Sequence, residues 1–347
     1  MIEAPVGPNS RRKSKYEARR APDEKLATSA MIASLDAEGR ETVAAPFGHA
    51  LCDLAKDRAD IVGLSADLSK YTDLHVFANA YPDRFYQMGM AEQVLISAAA
   101  GLAREGFTPF ATTYAVFASR RAYDFITMAI AEENLPVKIV CALPGLTTGY
   151  GPSHQATEDL AIFRGMPNLT IVDPCDATDV DQATRAIADH PGPVYMRLLR
   201  GKVPNVLGEY GYQFKLGKAQ LIHDGNDVLF ISTGFMTMRA IDAAKALKKD
   251  GIDCAVLHCP TIKPLDLETI KAEAARKGRL VVTAENHTIV GGLGEAVAAG
   301  LMREGVFVPF KSIALPDEFL DAGALPTLHD QYGISVPAIA AKIKSWL

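Results

Sequence analysis

Residues 87–103 read QMGMAEQVLISAAAGLA, a short turn that runs into an apolar helical pattern. At 100° per residue, residues 91, 94, 95, 98 and 102 share one apolar face, with Glu92 at its edge and Gln93 pointing away. A carboxylate that leans onto an apolar face loses hydration, and desolvation raises the pKa of a carboxyl group. Glu92 is therefore a candidate for sharing a proton with a basic ring nitrogen. The alternative is a first-turn glutamate that the helix dipole favours.

Helical patterns of this kind alternate with short apolar runs on both sides of the segment. The alternation predicts a mostly parallel sheet covered by helices on both faces, an α/β fold. We expect strands over 61–64, 107–112, 137–142 and 169–172 and helices over 90–103, 119–132 and 176–189. Ligands on such sheets bind beyond the carboxyl ends of the strands. A functional site is therefore expected in the loops after Leu64, Thr112 and Ala142.

Glycine and proline interrupt the pattern between residues 201 and 217 and indicate a domain boundary there. The alternation then restarts and predicts a second, smaller α/β domain. Its strands are expected over 227–232, 252–257 and 280–284 and its helices over 236–248, 266–277 and 292–303. These patterns divide the chain into an N-terminal arm (1–40), a first domain (41–203) and a second domain (218–347).

Composition excludes several classes of protein. The 347 residues carry 36 basic and 41 acidic side chains, a net charge of −5. Residues 1–20 hold six basic and two acidic side chains, +4, which leaves −9 on the rest. A short basic arm on an acidic body argues against nucleic-acid binding, and the sequence has no apolar run long enough for a membrane helix. The five cysteines form no C-x-x-C pair, so neither a disulfide framework nor a zinc site is expected, and a cytoplasmic location fits best.

Aromatic side chains mark the next candidate. Residues 107–117 read FTPFATTYAVF. Pro109 disfavours a helix in the first half, so we predict a strand that ends near Thr112, followed by a helix that exposes Tyr114 and Phe117. Two aromatic rings at such a turn form a stacking surface for a flat ring, whereas a helical core stripe is the alternative.

Two further segments supply polar candidates. Residues 144–155 read PGLTTGYGPSHQ, a loop after a predicted strand that places His154 near its end. A histidine in such a loop is as plausible a functional group as a structural one. Residues 192–201 read GPVYMRLLRG, and Arg197 and Arg200 close a predicted strand there. Both arginines are candidates for clamping an anionic substrate, with a surface ion pair as the alternative.

In this order, the GMAEQ segment, the aromatic turn, the GPSHQ loop and the RLLRG run resemble the thiamine-diphosphate-dependent transketolase family. TIKPLD at 261–266 and TAENHTIVGGLGEAV at 283–297 resemble that family's C-terminal domain. The resemblance covers residues 40–347. It implies a pyrimidine-binding α/β domain, followed by a smaller transketolase C-terminal α/β domain.

The resemblance also implies roles for residues around the cofactor. Glu92 is similar to the glutamate that hydrogen-bonds the aminopyrimidine ring of thiamine diphosphate and favours the imino tautomer that deprotonates the thiazolium ring. Tyr114 and Phe117 match the aromatic side chains around the pyrimidine, and Arg120 borders it. Asp67 matches a residue near the cofactor across a dimer interface.

The substrate side follows from the same resemblance. His154 matches a substrate-facing histidine, and Arg200 matches an arginine that binds substrate phosphate. The usual arginine of the first strand–helix region is missing, since residues 43–51 read VAAPFGHAL. Phosphate recognition is therefore expected from Arg200, Arg197 or a partner chain. Tyr150 stands where the family commonly has an acidic residue that recognises sugar hydroxyls, so a non-standard ketose phosphate is expected.

A motif that the family needs is missing from this sequence. Transketolases hold the diphosphate through a metal, usually Mg²⁺, with a Gly-Asp-Gly motif, and no such motif occurs here. We therefore assign no metal ligand to this chain and expect an N-terminal transketolase subunit to supply the diphosphate site. The expected enzyme is a split transketolase, an α2β2 assembly that transfers a two-carbon ketol unit between sugar phosphates.

Two other hypotheses remain open from the sequence. One is a subunit similar to deoxyxylulose-phosphate synthase or to the β-subunit of 2-oxoacid dehydrogenase E1. The other is a non-catalytic paralogue that scaffolds a true transketolase. The presence of Glu92, both aromatic side chains and His154 argues against the second hypothesis. The basic arm is a candidate docking element for the partner subunit, with a plain solvated tail as the alternative.

Overall fold

The structure, a computed structural model, describes residues 39–347 except residue 277. The predicted basic arm therefore lies, except for its last two residues, outside the described residues. The strands are β1 (Thr42–Ala44), β2 (Ile61–Ser65), β3 (Phe85–Gln87), β4 (Thr108–Tyr114), β5 (Lys138–Ala142), β6 (Thr170–Val172), β7 (Val194–Leu198), β8 (Lys202–Pro204), β9 (Gln220–His223), β10 (Val228–Ser232), β11 (Cys254–His258), β12 (Thr261–Lys263), β13 (Leu280–Thr288) and β14 (Phe310–Leu315). The α-helices are α1 (Pro46–Asp57), α2 (His75–Ala80), α3 (Glu92–Arg104), α4 (Ala115–Arg121), α5 (Tyr123–Ile126), α6 (Asp159–Arg164), α7 (Ala177–Ala188), α8 (Met236–Lys248), α9 (Leu267–Ala274), α10 (Leu293–Arg303), α11 (Leu325–Gln331) and α12 (Val336–Trp346).

The first sheet has seven strands in the order β12-β6-β7-β5-β4-β2-β3. Every neighbouring pair is parallel except β12 and β6. Strands β2, β4, β5 and β7 are buried along their whole length, as expected for a parallel sheet covered on both faces. The predicted parallel α/β domain is confirmed. Because β2, β4 and β5 are neighbours, the loops that follow them meet at one edge of the sheet.

The second sheet has five strands in the order β14-β13-β10-β11-β9. Four of them are parallel, and β9 pairs antiparallel with β11 at one edge. This confirms the predicted second α/β domain. A further pair, β1 and β8, forms a small antiparallel sheet beside the first domain.

Strand β12 is a departure from the sequence-based prediction. Its three residues follow the second-domain strand β11, yet they pair antiparallel with β6 at the edge of the first sheet. The peptide bond between Lys263 and Pro264, just after it, is cis. A three-residue strand has no measurable periodicity, and its pairing arises only from docking of the two domains.

The predicted face of helix α3 was wrong. The buried side chains are Glu92, Leu95, Ile96, Ala99, Ala100 and Ala103. Val94, which was assigned to the core, is 54% exposed. The helix is apolar on two faces, so spacing alone could not select the buried one. As a result Glu92 lies within the buried face instead of at its edge.

The helix predicted over 119–132 is divided in the structure. The chain forms α4, then α5, and then a π-helical turn over Thr127–Ala131. The break at Ala122 leaves the end of α4 close to the site described below. None of the helices between residues 39 and 347, residue 277 aside, is long and apolar enough to cross a membrane.

Candidate active site

Glu92 is the first residue of helix α3, and it is only 3% exposed. Its Oε1 atom accepts a hydrogen bond from Nη1 of Arg121 at 3.1 Å. The guanidinium of Arg121 lies over the ring of Phe117, 3.9 Å from the ring centroid. A buried carboxylate thus faces one half-exposed cation beside an aromatic ring. The sequence-based prediction missed Arg121, although it adjoins Arg120 in the sequence.

Aromatic rings surround His154. Tyr114 ends β4 and Phe117 lies in the first turn of α4, with their ring centroids 5.7 Å apart. The ring of His154 lies 5.5 Å from Phe117, 6.3 Å from Tyr114 and 5.5 Å from Tyr150. Burial raises the pKa of Tyr114, and the charge of Arg200 opposes that shift. The structure therefore brings the two predicted aromatic residues and the predicted histidine into one cluster.

The loop that bears His154 is held by Arg120. The guanidinium donates to the carbonyl oxygens of Pro152 at 2.8 Å and Gln155 at 3.3 Å, and it forms an ion pair with Glu158. The Nδ1 atom of His154 lies 2.9 Å from the hydroxyl oxygen of Ser153. Arg120 therefore supports the loop directly, a role that the sequence did not indicate. Tyr150 is 62% exposed at the tip of the same loop.

Asp67 and Arg200 lie at the ends of strands in the same sheet. Asp67 follows β2 with a left-handed backbone, φ 60°, and its N–H donates to Oε1 of Gln87 at 2.6 Å. Its side chain is exposed. Arg200 follows β7, and its guanidinium lies 5.6 Å from the ring centroid of Tyr71. Within residues 39–347, residue 277 aside, no hydrogen bond or ring contact joins Asp67 to the cluster around His154, and its role at the cofactor stays a prediction.

Asp73 is a buried acid that the sequence analysis missed. Its two carboxylate oxygens accept from the N–H of Gly201 at 2.9 and 3.2 Å. Burial raises the pKa of Asp73 to about 6, while the Gly201 N–H and the charge of Arg200 act in the opposite direction. The residue thus anchors the turn that carries Arg200. No sequence motif marked it, because its partner is 128 residues away.

Arg197 does not lie where the sequence suggested. Its side chain is 1% exposed, and it forms a two-point ion pair with Asp159. Its Nη1 atom also donates to Oδ2 of Asp173 at 3.4 Å and to the carbonyl oxygen of Asn286 at 3.2 Å. Burial acts to raise the pKa of Asp159, but Arg197 outweighs it and the pKa is lowered. The position argues against direct substrate contact and favours an ion pair, in the interior and not at the surface.

Two regions of the chain match known protein domain families. Transketolase, pyrimidine binding domain, matches residues 41–205, and transketolase, C-terminal domain, matches residues 217–339. The chain belongs to the transketolase family. Among its described residues, 39–347 without 277, no group of three or more His, Cys, Asp and Glu side chains is placed to hold a metal ion.

Relatives of this transketolase-family chain include proteins of similar length. A transketolase family protein of Sinorhizobium fredii is 68% identical over 342 residues, 97% of this chain and 99% of the relative. A protein of Methanocaldococcus jannaschii, named as a transketolase C-terminal section, is 38% identical over 86% of this chain and 93% of the relative. The 6-deoxy-6-sulfo-D-fructose transketolase subunit of a Clostridium strain is 38% identical over 83% of this chain and 89% of the relative.

A solved structure supports the same assignment. It is described as a split gene transketolase in an inactive beta4 tetramer. It matches this transketolase-family chain with a TM-score of 0.80 and 38% identity. The match covers 88% of this chain and 98% of the solved one. The two chains therefore share one fold over nearly the whole of the solved chain.

Proposed function

We propose that this chain is the C-terminal subunit of a split transketolase, which transfers a two-carbon ketol unit from a ketose phosphate to an aldose phosphate. The observation that carries the proposal is the buried carboxylate of Glu92. It accepts a hydrogen bond from Arg121, whose guanidinium lies over the ring of Phe117. A desolvated acid beside an aromatic surface suits a heteroaromatic ring that shares a proton.

The residues present suit the pyrimidine half of thiamine diphosphate. When bound, this cofactor would supply the carbanion and the electron sink that ketol transfer needs. Glu92 would hold a proton at a ring nitrogen of the pyrimidine. Phe117 and Tyr114 would stack on the ring and exclude water from the carboxylate. Arg121, which now neutralises Glu92, would move aside or remain as the charge partner.

On the substrate side, His154 and Tyr150 would contact the sugar, and Arg200 would bind its anionic end. A guanidinium binds the oxygens of a phosphate or a sulfonate through parallel hydrogen bonds. The relative named for 6-deoxy-6-sulfo-D-fructose supports a ketose with an anionic terminus. Because position 150 carries a tyrosine in place of an acidic residue, this region has one negative charge fewer to repel an anionic substrate.

A second subunit would complete the site. The sequence has no Gly-Asp-Gly motif, and the solved split gene transketolase is described as an inactive beta4 tetramer. Exposed apolar side chains lie close to Glu92: Met90 is 81% exposed and Val94 is 54% exposed, while Phe125 and Met128 are exposed on the adjacent turns. Large exposed apolar side chains on neighbouring elements are typical of an interaction site. We propose that an N-terminal subunit covers this surface, brings the Mg²⁺ and diphosphate site, and forms an α2β2 enzyme.

The test is reconstitution of the two-subunit enzyme. The chain is purified with the partner that carries the Gly-Asp-Gly motif, and ketol transfer is measured with and without thiamine diphosphate and Mg²⁺. Glu92→Ala should abolish transfer, because the proton-sharing carboxylate is gone. Glu105→Ala, an exposed glutamate at the other end of helix α3, is the matched control and should retain activity.

Three outcomes would contradict the proposal. Full activity of the Glu92→Ala complex would remove Glu92 from the chemistry. Consumption of pyruvate without a ketose donor would instead assign the chain to a reaction of the deoxyxylulose-phosphate synthase type. Failure of the complex to bind thiamine diphosphate would support a scaffolding paralogue.

A further inference from the structure

The loop that bears His154 is bound from its far side by the second domain. Asn286, near the end of β13, makes two hydrogen bonds to it. Its Oδ1 accepts from the N–H of Leu146 at 2.9 Å, and its Nδ2 donates to the carbonyl oxygen of Pro144 at 3.1 Å. Gly145, between them, has φ 58°, and a Cβ there would collide with Asn286. Asn286 is 3% exposed, so water does not compete for these bonds.

A histidine of the second domain makes the next contact. His329 lies 2.8 Å from the carbonyl oxygen of Leu146 through Nε2, and its Nδ1 lies 2.8 Å from Nη2 of Arg239. Because the arginine can only donate, Nδ1 accepts, and Nε2 carries the proton that it donates to Leu146. Burial and the neighbouring Arg239 lower the pKa of His329 to about 3, which keeps the ring neutral.

The tip of the loop is also attached to the second domain. The N–H of Gly323 donates to the carbonyl oxygen of Gly149 at 3.0 Å. The side chain of Gln155 donates to the carbonyl oxygens of Asp321 and Thr148, each at 3.1 Å. A Cβ at Gly149 would collide with Gly323. The two backbones therefore approach as closely as residues without side chains allow.

We infer that the second domain is a positioning element for substrate binding, with Asn286 as its central residue. Asn286 fixes the base of the loop, and the loop in turn sets where His154 and Tyr150 face the substrate. The backbone oxygen of Asn286 also accepts from Arg197, so the buried ion pair of Arg197 and Asp159 supports the same strand end. The inference rests on the proposed function for the substrate role of His154, and it deepens that function.

The test compares Asn286→Ala with Asn226→Ala, an exposed asparagine of the same domain, in the full chain and in the reconstituted complex. Loss of the two buried hydrogen bonds should raise the KM for the ketose donor by about tenfold or more. The kcat and the dissociation constant of thiamine diphosphate should change by less than about threefold. Hydrogen–deuterium exchange of the full chain should speed up over residues 144–155. The control should show none of these changes.

Asn286→Asp is the second variant, in case the alanine variant fails to fold. It keeps the size of the side chain and the acceptor for Leu146, but it replaces the donor to Pro144 with an oxygen that faces the Pro144 carbonyl oxygen, so the KM should again rise. Unchanged KM and unchanged exchange in a folded variant would overturn the inference. Faster exchange without a change in KM would show a structural contact only, and would also overturn it. If the wild-type complex lacks ketol transfer while the exchange over 144–155 responds, the proposed function fails and the loop contact stands.

Discussion

Replacing Asp73 with asparagine should stabilise the folded chain near neutral pH. Asp73 is 3% exposed and has a left-handed backbone, φ 59°. Asparagine tolerates this conformation and can accept the hydrogen bond from Gly201 through its amide oxygen. The substitution therefore removes a charge from the interior while keeping the main contact of the side chain.

The magnitude follows from the pKa of the buried carboxyl. Burial raises it from 3.8 to about 6, a shift of about 2 units, and each unit corresponds to about 1.4 kcal/mol. Because the pKa is higher in the folded state, the stabilising effect of the protonated form is complete below about pH 4 and is lost as the pH rises through about 6. Ionised Asp73 thus costs up to about 3 kcal/mol at neutral pH. The pKa of about 6 already includes the attraction of Arg200, so we expect a net gain of about 1–3 kcal/mol.

The assay is urea unfolding of the full chain at about pH 4 and about pH 8. Asp73→Asn should raise the free energy of unfolding at the higher pH and leave it within about 0.5 kcal/mol of wild type at the lower pH. Asp57→Asn, an exposed aspartate of the same domain, is the control and should change neither value. A variant that is no more stable than wild type at the higher pH would refute the reasoning, because the ionised carboxylate would then be adequately compensated.

Four further predictions concern the arginines and Tyr150. Arg197→Ala should lower the free energy of unfolding by about 3–5 kcal/mol, because it leaves Asp159 buried without its cation. Arg200→Ala should instead raise the KM for the ketose phosphate by about tenfold or more, with a much smaller effect on the free energy of unfolding. Arg120→Ala releases two carbonyls of the His154 loop and should raise the donor KM by about tenfold, whereas weaker thiamine diphosphate binding, measured by calorimetry, would place the arginine at the cofactor. Tyr150→Asp should shift the ratio of kcat/KM from a sulfonated ketose towards a pentulose phosphate by about fivefold or more, and an unchanged ratio would exclude position 150 from donor selection.

Much of the fold was predictable because local periodicity is strong in its central elements. Helix α8 has the bounds that its pattern predicted, and the buried strands β2 and β5 begin at or within one residue of the expected positions. The predictions were wrong where tertiary contacts determine which side chains are buried. Val94 lies outside the core because helix α3 is apolar on two faces, and only packing selects between them.

The candidate site was predictable to a similar extent. Motif order placed Glu92, Tyr114, Phe117 and His154 in the same region, and the structure clusters the aromatic rings around His154. The sequence did not predict the roles of Asp73 and Asn286, because their hydrogen-bond partners are far away in the sequence and neither residue lies in a pattern that suggests those contacts. Arg197 lies in the interior, where the sequence had suggested a substrate clamp or a surface ion pair, because a strand-terminal arginine can face either solvent or the interior and the sequence does not distinguish them.

Strand β12 determines where the chain can be cut into separate domain fragments. The first family description ends at residue 205, but the seventh strand of the first sheet comes from residues 261–263. A fragment that stops at the family boundary would leave the edge of β6 unpaired, and an unpaired edge invites pairing with other chains. The boundary of the first family match and the boundary of the first sheet therefore do not coincide. Domain exchange between related subunits would have to transfer the 261–263 segment together with the first domain.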